Sequence, residues 1–198
     1  MLRPEIKQRQ AGRRPQFSSK DCVDAAIRLG VSDFTMASVA RELSVTPSAM
    51  YRAFASHRDL REACLDRILE VINPPPSETS WQSVLFHASE EWTRACREFP
   101  GLDNALLHYD GPVARFIQGG FTHHVAGLKS AGYNTEQSLF AVGAILVAAT
   151  YADEARPMSE SDQDDSSPSS LRRPSLVSFV IRGLSADWPE CAPEVFTP

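Results

Sequence analysis

Three times within residues 17–50, an apolar residue stands just before a helix-capping residue and is answered by a second apolar residue five positions further on. The sets are Phe17-Ser18 with Cys22, Phe34-Thr35 with Val39, and Val45-Thr46 with Met50. This is hydrophobic-staple spacing, in which the residue before the cap packs on the first turn and fixes the angle at which the chain enters the helix. Several short helices in succession, each with its angle set, can only form a small rigid bundle. Other punctuation agrees. Asp21 stands three residues after Ser18 as a capping-box partner, and Pro47 follows Thr46 at the favoured first helical position. Val23, Ala26, Ile27 and Gly30 keep helical spacing in the first helix. Met36, Val39, Ala40 and Leu43 keep it in the second. Ser56, with Asp59 as its expected capping-box partner, opens a fourth helix whose stripe is Leu60, Cys64, Leu65, Ile68, Leu69 and Ile72.

The second and third helices, 35–43 and 46–54, are separated only by Ser44-Val45, which is helix-turn-helix spacing. Ala40 falls at the crossing, where a small side chain lets the helices approach, and Met50 turns back into the core. Thr46, Pro47, Ser48, Tyr51 and Arg52 remain outward. A short helix with small polar groups at its N-terminus can enter a major groove and reach base edges. A tyrosine hydroxyl and a guanidinium beside it can hold phosphates.

Residues 1–16 carry five basic residues and one acidic residue and have almost nothing to bury, so they read as a flexible basic arm. Arg13 and Arg14 could enter a narrow minor groove, or the arm could be a plain solvated tail. Both readings stand. "NPPPSE", 73–78, stops the fourth helix and marks a domain boundary. Ser80 opens a long helix with Trp81, Val84, Leu85, Ala88, Trp92, Ala95, Cys96 and Phe99 on one face. A further helix is expected from "DGP", 110–112, with Val113, Phe116, Ile117, Gly120, Phe121 and Leu128 inward. Residues 135–152 are apolar nearly all round and should be buried on most sides. Residues 155–175 are rich in Ser, Asp and Pro and read as a mobile loop. A last amphipathic helix, 175–186, follows. No segment alternates for long enough to claim a sheet, so the expected class is all-α.

Charge is divided along the chain. Residues 1–72 carry a net +3 and residues 73–198 a net −8, which fits a nucleic-acid-facing end and a second end with another task. Cys22, Cys64, Cys96 and Cys191 form no CxxC pair, and together with the lack of a secretory signal this reads as a reduced, cytoplasmic chain with structural cysteines. The longest apolar run, 139–149, is too short to span a bilayer. No phosphate loop, nucleophile elbow or zinc pattern occurs. His123-His124 are adjacent and diverge by about 100° on a helix. Glu90-Glu91 reads as a solvated face. No enzyme, metal or cofactor is indicated.

"FTMASVARELSVTPSAMYRAFASHRDLREACLDRIL", 34–69, resembles the DNA-binding domain of the TetR family of transcriptional regulators. Ala40, Leu43 and Val45 take that family's places in helix two and the turn. Met50-Tyr51 stand as its apolar-Tyr pair, and Phe54, Ser56 and Leu60 as its entrance to helix four. The resemblance covers roughly 17–72. Two residues depart from it. Ser44 stands where glycine is usual, in a turn that needs left-handed backbone. His57 stands where a phosphate-contacting lysine is usual, and Arg58 beside it can take over. The DNA-facing set is then Thr35, Thr46, Pro47, Ser48, Tyr51, Arg52, His57 and Arg58, with Arg13 and Arg14 on the arm.

By the same resemblance, 73–198 would be a helical effector-binding and dimerisation domain. Its aromatics and histidines could line an apolar pocket with a few polar anchors. Trp81, Trp92, His108, Phe116, Phe121, His124 and Phe140 are the candidates. Ala144, Ala148 and Ala152 form a small-residue stripe that would let late helices pack across a dimer, joined by Phe179 and Val180. The expected protein is a homodimeric repressor that binds a double-stranded DNA operator and is released by a small, largely apolar ligand. The alternative is a helical protein–protein interaction module whose DNA-binding headpiece is vestigial.

Overall fold

The staples and caps act as local rules, and the computed structural model shows them operating. It describes residues 17–108, 113–154 and 173–186; the basic arm, most of the 155–175 segment and Cys191 lie outside these. The described residues form an all-α fold of ten helices without a strand.

In α1, Ser19–Leu29, Ser18 and Asp21 complete a reciprocal capping box. In α2, Met36–Glu42, the box is Thr35 with Ser38. α3, Pro47–Ala53, starts at Thr46 by its backbone alone, with no side-chain cap bond; the Thr46 hydroxyl meets Ser48 Oγ at 3.1 Å instead. α4, His57–Leu69, is capped by Ser56, which accepts the Asp59 N–H at 3.1 Å. Cys22, Val39 and Met50, the inner members of the three staples, are all buried, as is Phe34. Burying a side chain such as Met50 contributes about 1.5–3 kcal/mol. α1 packs against α2, α3 and α4, so α3 is held from inside and leaves its other face open.

The rest of the chain packs around α9, Thr135–Glu154. It touches α5, Trp81–Glu98, α7, Val113–Gly120, α8, Thr122–Ser130, and α10, Arg173–Ala186. Ala141, Val142, Ile145, Leu146 and Ala149 on α9 are buried, as an all-round apolar helix requires. Three boundaries differ from expectation. A short α6, Leu102–Leu107, follows the left-handed Gly101, where the sequence offered only a helix break. The helix expected through 113–128 is two helices, divided at Phe121 after the Gly119-Gly120 pair. α10 starts at Arg173, inside the stretch read as loop.

Several contacts among the described residues tie α1–α4 to the remainder. The Val31 N–H donates to the Pro100 carbonyl at 3.2 Å, joining the α1–α2 turn to the turn after α5. The end of α7 lies directly on the last turn of α4: a Cβ on Gly120 would come within 2.9 Å of Leu69 Cδ2 and 3.1 Å of its carbonyl oxygen. No helix among the described residues is long and apolar enough to cross a membrane.

Candidate nucleic-acid interface and buried polar cluster

The α2–α3 turn is a Schellman motif. The Val45 N–H reaches back to the Ala40 carbonyl at 2.9 Å, and the Ser44 N–H to that of Arg41 at 3.1 Å. The motif demands a left-handed residue between them. Ser44 supplies it at φ 55, one of two non-glycine residues with positive φ among those described. Serine at this position carries a steric cost that glycine would not. The turn nevertheless closes, and Ala40, 1% exposed, sits beneath it at the helix crossing.

This turn aims α3. Thr46, Pro47, Ser48, Tyr51 and Arg52 are all exposed on it, and Tyr51 keeps 56% of its surface open. Thr35 is exposed at the start of α2, its hydroxyl engaged by the Ser38 N–H at 3.0 Å. His57 is placed differently from a lysine-like phosphate contact. Its ring is half-buried, lies tilted against Phe34 with centroids 4.5 Å apart, and puts Nε2 3.0 Å from the Phe34 carbonyl. It therefore fastens the start of α4 to the start of α2. Arg58 is exposed, with Nε donating to Glu62 Oε1 at 3.1 Å. Arg13 and Arg14 lie outside the described residues.

Within the same bundle, the Cys22 thiol lies 3.7 Å from Met50 Sδ. Burial pushes the Cys64 thiol up to about 12 and raises Cys22 as well, so neither is a reactive thiolate.

A second set of polar groups lies between α5 and α8. These helices approach closely at Gly127, where a Cβ would stand 3.2 Å from Val84 Cγ2. Three residues along each helix, His87 and His124 meet: His87 Nδ1 is 2.9 Å from His124 Nε2, with the rings stacked at 5.2 Å. His124 is wholly buried and touches Phe121, with centroids 5.2 Å apart. Burial, then the neighbouring His87, pushes the His124 imidazole down to about 4, so it is neutral near pH 7. Trp92 and Phe116 meet edge to face at 5.6 Å, and the Trp92 indole N–H donates to Thr150 Oγ1 at 2.9 Å. Trp92, Phe116, Phe121 and His124 are thus all buried.

The other pocket candidates are elsewhere. His108 is exposed at the end of α6, its Nδ1 on the Asn104 carbonyl of its own helix. Trp81 is half-buried against Tyr133 at the start of α5. Phe140 is half-buried in line with Ala144, Val147 and Tyr151 along α9. Ala148 departs from the dimer stripe expected of it, because it points into the chain's own core. Past the first turn of α9, the exposed residues among those described are Val147 and Tyr151, beside half-buried Ala144; the Ala152 side chain lies outside those described. On α10, Phe179 is 73% exposed and Val180 half-buried.

Glu91 is also not the solvated residue that its pairing with Glu90 suggested. Only 9% exposed, it accepts from the Asn73 N–H at 2.8 Å and from the Asn73 amide at 3.0 Å. Arg94 donates to the same Glu91 Oε2 at 2.7 Å and to the Val71 carbonyl at 2.6 Å. Burial alone would raise the Glu91 carboxyl; the bonds from Arg94 and Asn73 outweigh it and hold it below its ordinary value. Among the described residues no group of three or more His, Cys, Asp or Glu could hold a metal ion.

No family model matches this chain, and no curated protein does. Among solved structures, it is similar to that of BioQ from Mycobacterium smegmatis, with a TM-score of 0.62 and 19% identity. The similarity covers 86% of this chain and 98% of that one, and it shows that the two share an all-α fold.

Proposed function

We propose that the chain is a DNA-binding transcriptional regulator of the TetR type that acts as a homodimer. The exposed face of α3 carries this reading. A Schellman turn and the buried Met50 fix the helix, while Thr46, Pro47, Ser48, Tyr51 and Arg52 stay clear of the core. One such helix is too small for high affinity. Two related by a dyad meet successive major grooves about 34–36 Å apart. The dimer face is the apolar stripe of Val147 and Tyr151 on α9 and Phe179 and Val180 on α10, which would otherwise lie open to water.

The regulator is a repressor released by a small, largely apolar effector. The effector binds within the α5–α9 region and favours a state in which α4 has shifted, so the two α3 helices lose their spacing. A ligand drives this only by binding the released state more tightly. Two features support it: the buried Phe121 against His124, and the Glu91–Arg94 hold on the chain just after α4.

A gel shift against the promoter region beside the chain's own gene tests the reading. Specific retardation is expected, weakened in Tyr51→Ala and in Arg52→Ala. If the folded protein ignores this DNA and binds another protein instead, it is an interaction module.

A further inference from the structure

His124 Nδ1 is buried and has no hydrogen-bond partner; among the described residues no other buried side-chain nitrogen or oxygen is left so. A buried polar atom without a partner costs about 1–3 kcal/mol. Its neighbours make the vacancy specific. The other ring nitrogen, Nε2, is taken by His87 Nδ1 at 2.9 Å, and Phe121 packs on the ring. The His87 bond fixes the orientation of the imidazole and leaves Nδ1 as its one unpaired nitrogen.

We infer that His124 Nδ1 is the polar anchor of the effector site, and that the effector is an uncharged, mainly apolar molecule carrying a hydroxyl group. The inference rests on the proposed regulator reading for the word effector and stands on the cluster itself for the binding. Three considerations give the ligand class. His87 and His124 share one proton in their mutual bond, so Nδ1 of His124 is either a bare lone pair or an N–H, depending on the tautomer. A hydroxyl complements both, because it donates as well as accepts. The nearby Glu91 carboxylate, held ionised by Arg94, disfavours an anion. The buried Phe121 against the ring suits an apolar body. The anchor is also well placed to be read out. His87 and Glu91 lie one turn apart on α5, and Glu91 and Arg94 hold Asn73 and Val71 at the end of α4.

Phenol and toluene are the probes, since they match in shape and differ in the hydroxyl. The full chain is labelled with 15N-histidine, and the His124 nitrogens are assigned by their loss in His124→Phe. Phenol is expected to move the His124 Nδ1 resonance and to bind at least tenfold more tightly than toluene. In His124→Phe, which keeps the ring and removes the polar atoms, that preference should fall below threefold. Equal binding of the two probes to the wild-type chain overturns the anchor, as does phenol binding with Nδ1 unmoved or no phenol binding at all. The comparison of the two probes on the wild-type chain needs no variant to fold. A gel shift on the same preparation separates the two readings. DNA binding without phenol engagement sinks the anchor alone. Phenol engagement without DNA binding sinks the regulator alone.

Discussion

Glu91 accepts the backbone N–H of Asn73 at 2.8 Å, so a side chain in the middle of α5 holds the chain just where it leaves α4. Arg94, one turn on, completes the hold by donating to the Val71 carbonyl at 2.6 Å. Two bonds to backbone from one helix define where α4 ends relative to α5. That position sets where α3 is presented, because α4 packs on α1 and α1 packs on α3.

Removing this hold should therefore have two effects. Glu91→Ala leaves the Asn73 N–H and part of Arg94 without a partner, at a cost of about 1–3 kcal/mol. A urea melt should show the loss, and DNA affinity should fall beyond what the loss of folded protein explains. Glu90→Ala, at an exposed neighbour, should do neither. Equal effects from both would mean that the Asn73 bond does not position α4.

Ser44→Gly should stabilise the chain. Ser44 holds φ 55 in the Schellman turn, a conformation that glycine adopts without steric cost. The gain is about 0.5–1 kcal/mol after allowing for the greater freedom of glycine in the unfolded chain. In a chain of this size that raises Tm by roughly 2–3 °C. A fall in Tm by calorimetry would show that the serine hydroxyl contributes more than its backbone costs.

Tyr51→Ala and Arg52→Ala should leave the helical circular dichroism and Tm unchanged, since both side chains are exposed on α3. Each should weaken operator binding by about 1 kcal/mol or more, and Arg52→Ala should also flatten the salt dependence if it meets a phosphate. Undiminished affinity in both would remove α3 as the reading helix.

Acid should weaken the fold in a window set by His124. In the unfolded chain its imidazole binds a proton near pH 6.5; in the folded chain it resists down to about 4. The unfolded state therefore holds more protons between these values, and stability is lost as pH falls through that range, by up to about 1.4 kcal/mol per pH unit. His87 faces the ring from α5, and Glu91 and His123 act on it electrostatically. Urea melts between pH 4.5 and 7 should show the slope, and His124→Phe should flatten it. A slope unchanged in the variant would assign it to other groups.

What could be read from the sequence was local. The staples at Cys22, Val39 and Met50, the box at Ser18, the caps at Thr35 and Ser56, and the all-α class follow from spacings of three to five residues. The need for left-handed backbone at Ser44 was implied by the family resemblance, which places glycine there. The His87–His124 pair could not be read, because its partners are 37 residues apart and meet only through the crossing of α5 with α8. Glu91 was misread for the same reason: beside Glu90 it matches a solvated face, and only the fold brings Asn73 to it. The break at Phe121 was masked by apolar spacing that runs on through two helices. The burial of Ala148 within the single chain could not be read, because small residues four apart fit a dimer and a core equally well.

The dimer face gives the last prediction, and Ala148 serves as its control. Phe179 on α10 and Val147 on α9 are exposed in the single chain, so Phe179→Glu and Val147→Glu should not disturb the protomer's core. In a dimer built on this face, each would bury a carboxylate without a partner, which costs several kcal/mol. The Phe179→Glu, Val147→Glu double variant should therefore sediment as a folded monomer with unchanged circular dichroism. Its DNA affinity should fall much further than loss of one phosphate contact explains. The slope of log affinity against log salt should roughly halve, because one headpiece neutralises about half the phosphates. Ala148→Glu should behave differently: Ala148 is 7% exposed inside the chain, so the charge enters the core and the protein should unfold. If the double variant sediments as a dimer, the two chains meet through another surface. If Ala148→Glu folds and only dissociates, the stripe of small residues is the interface after all.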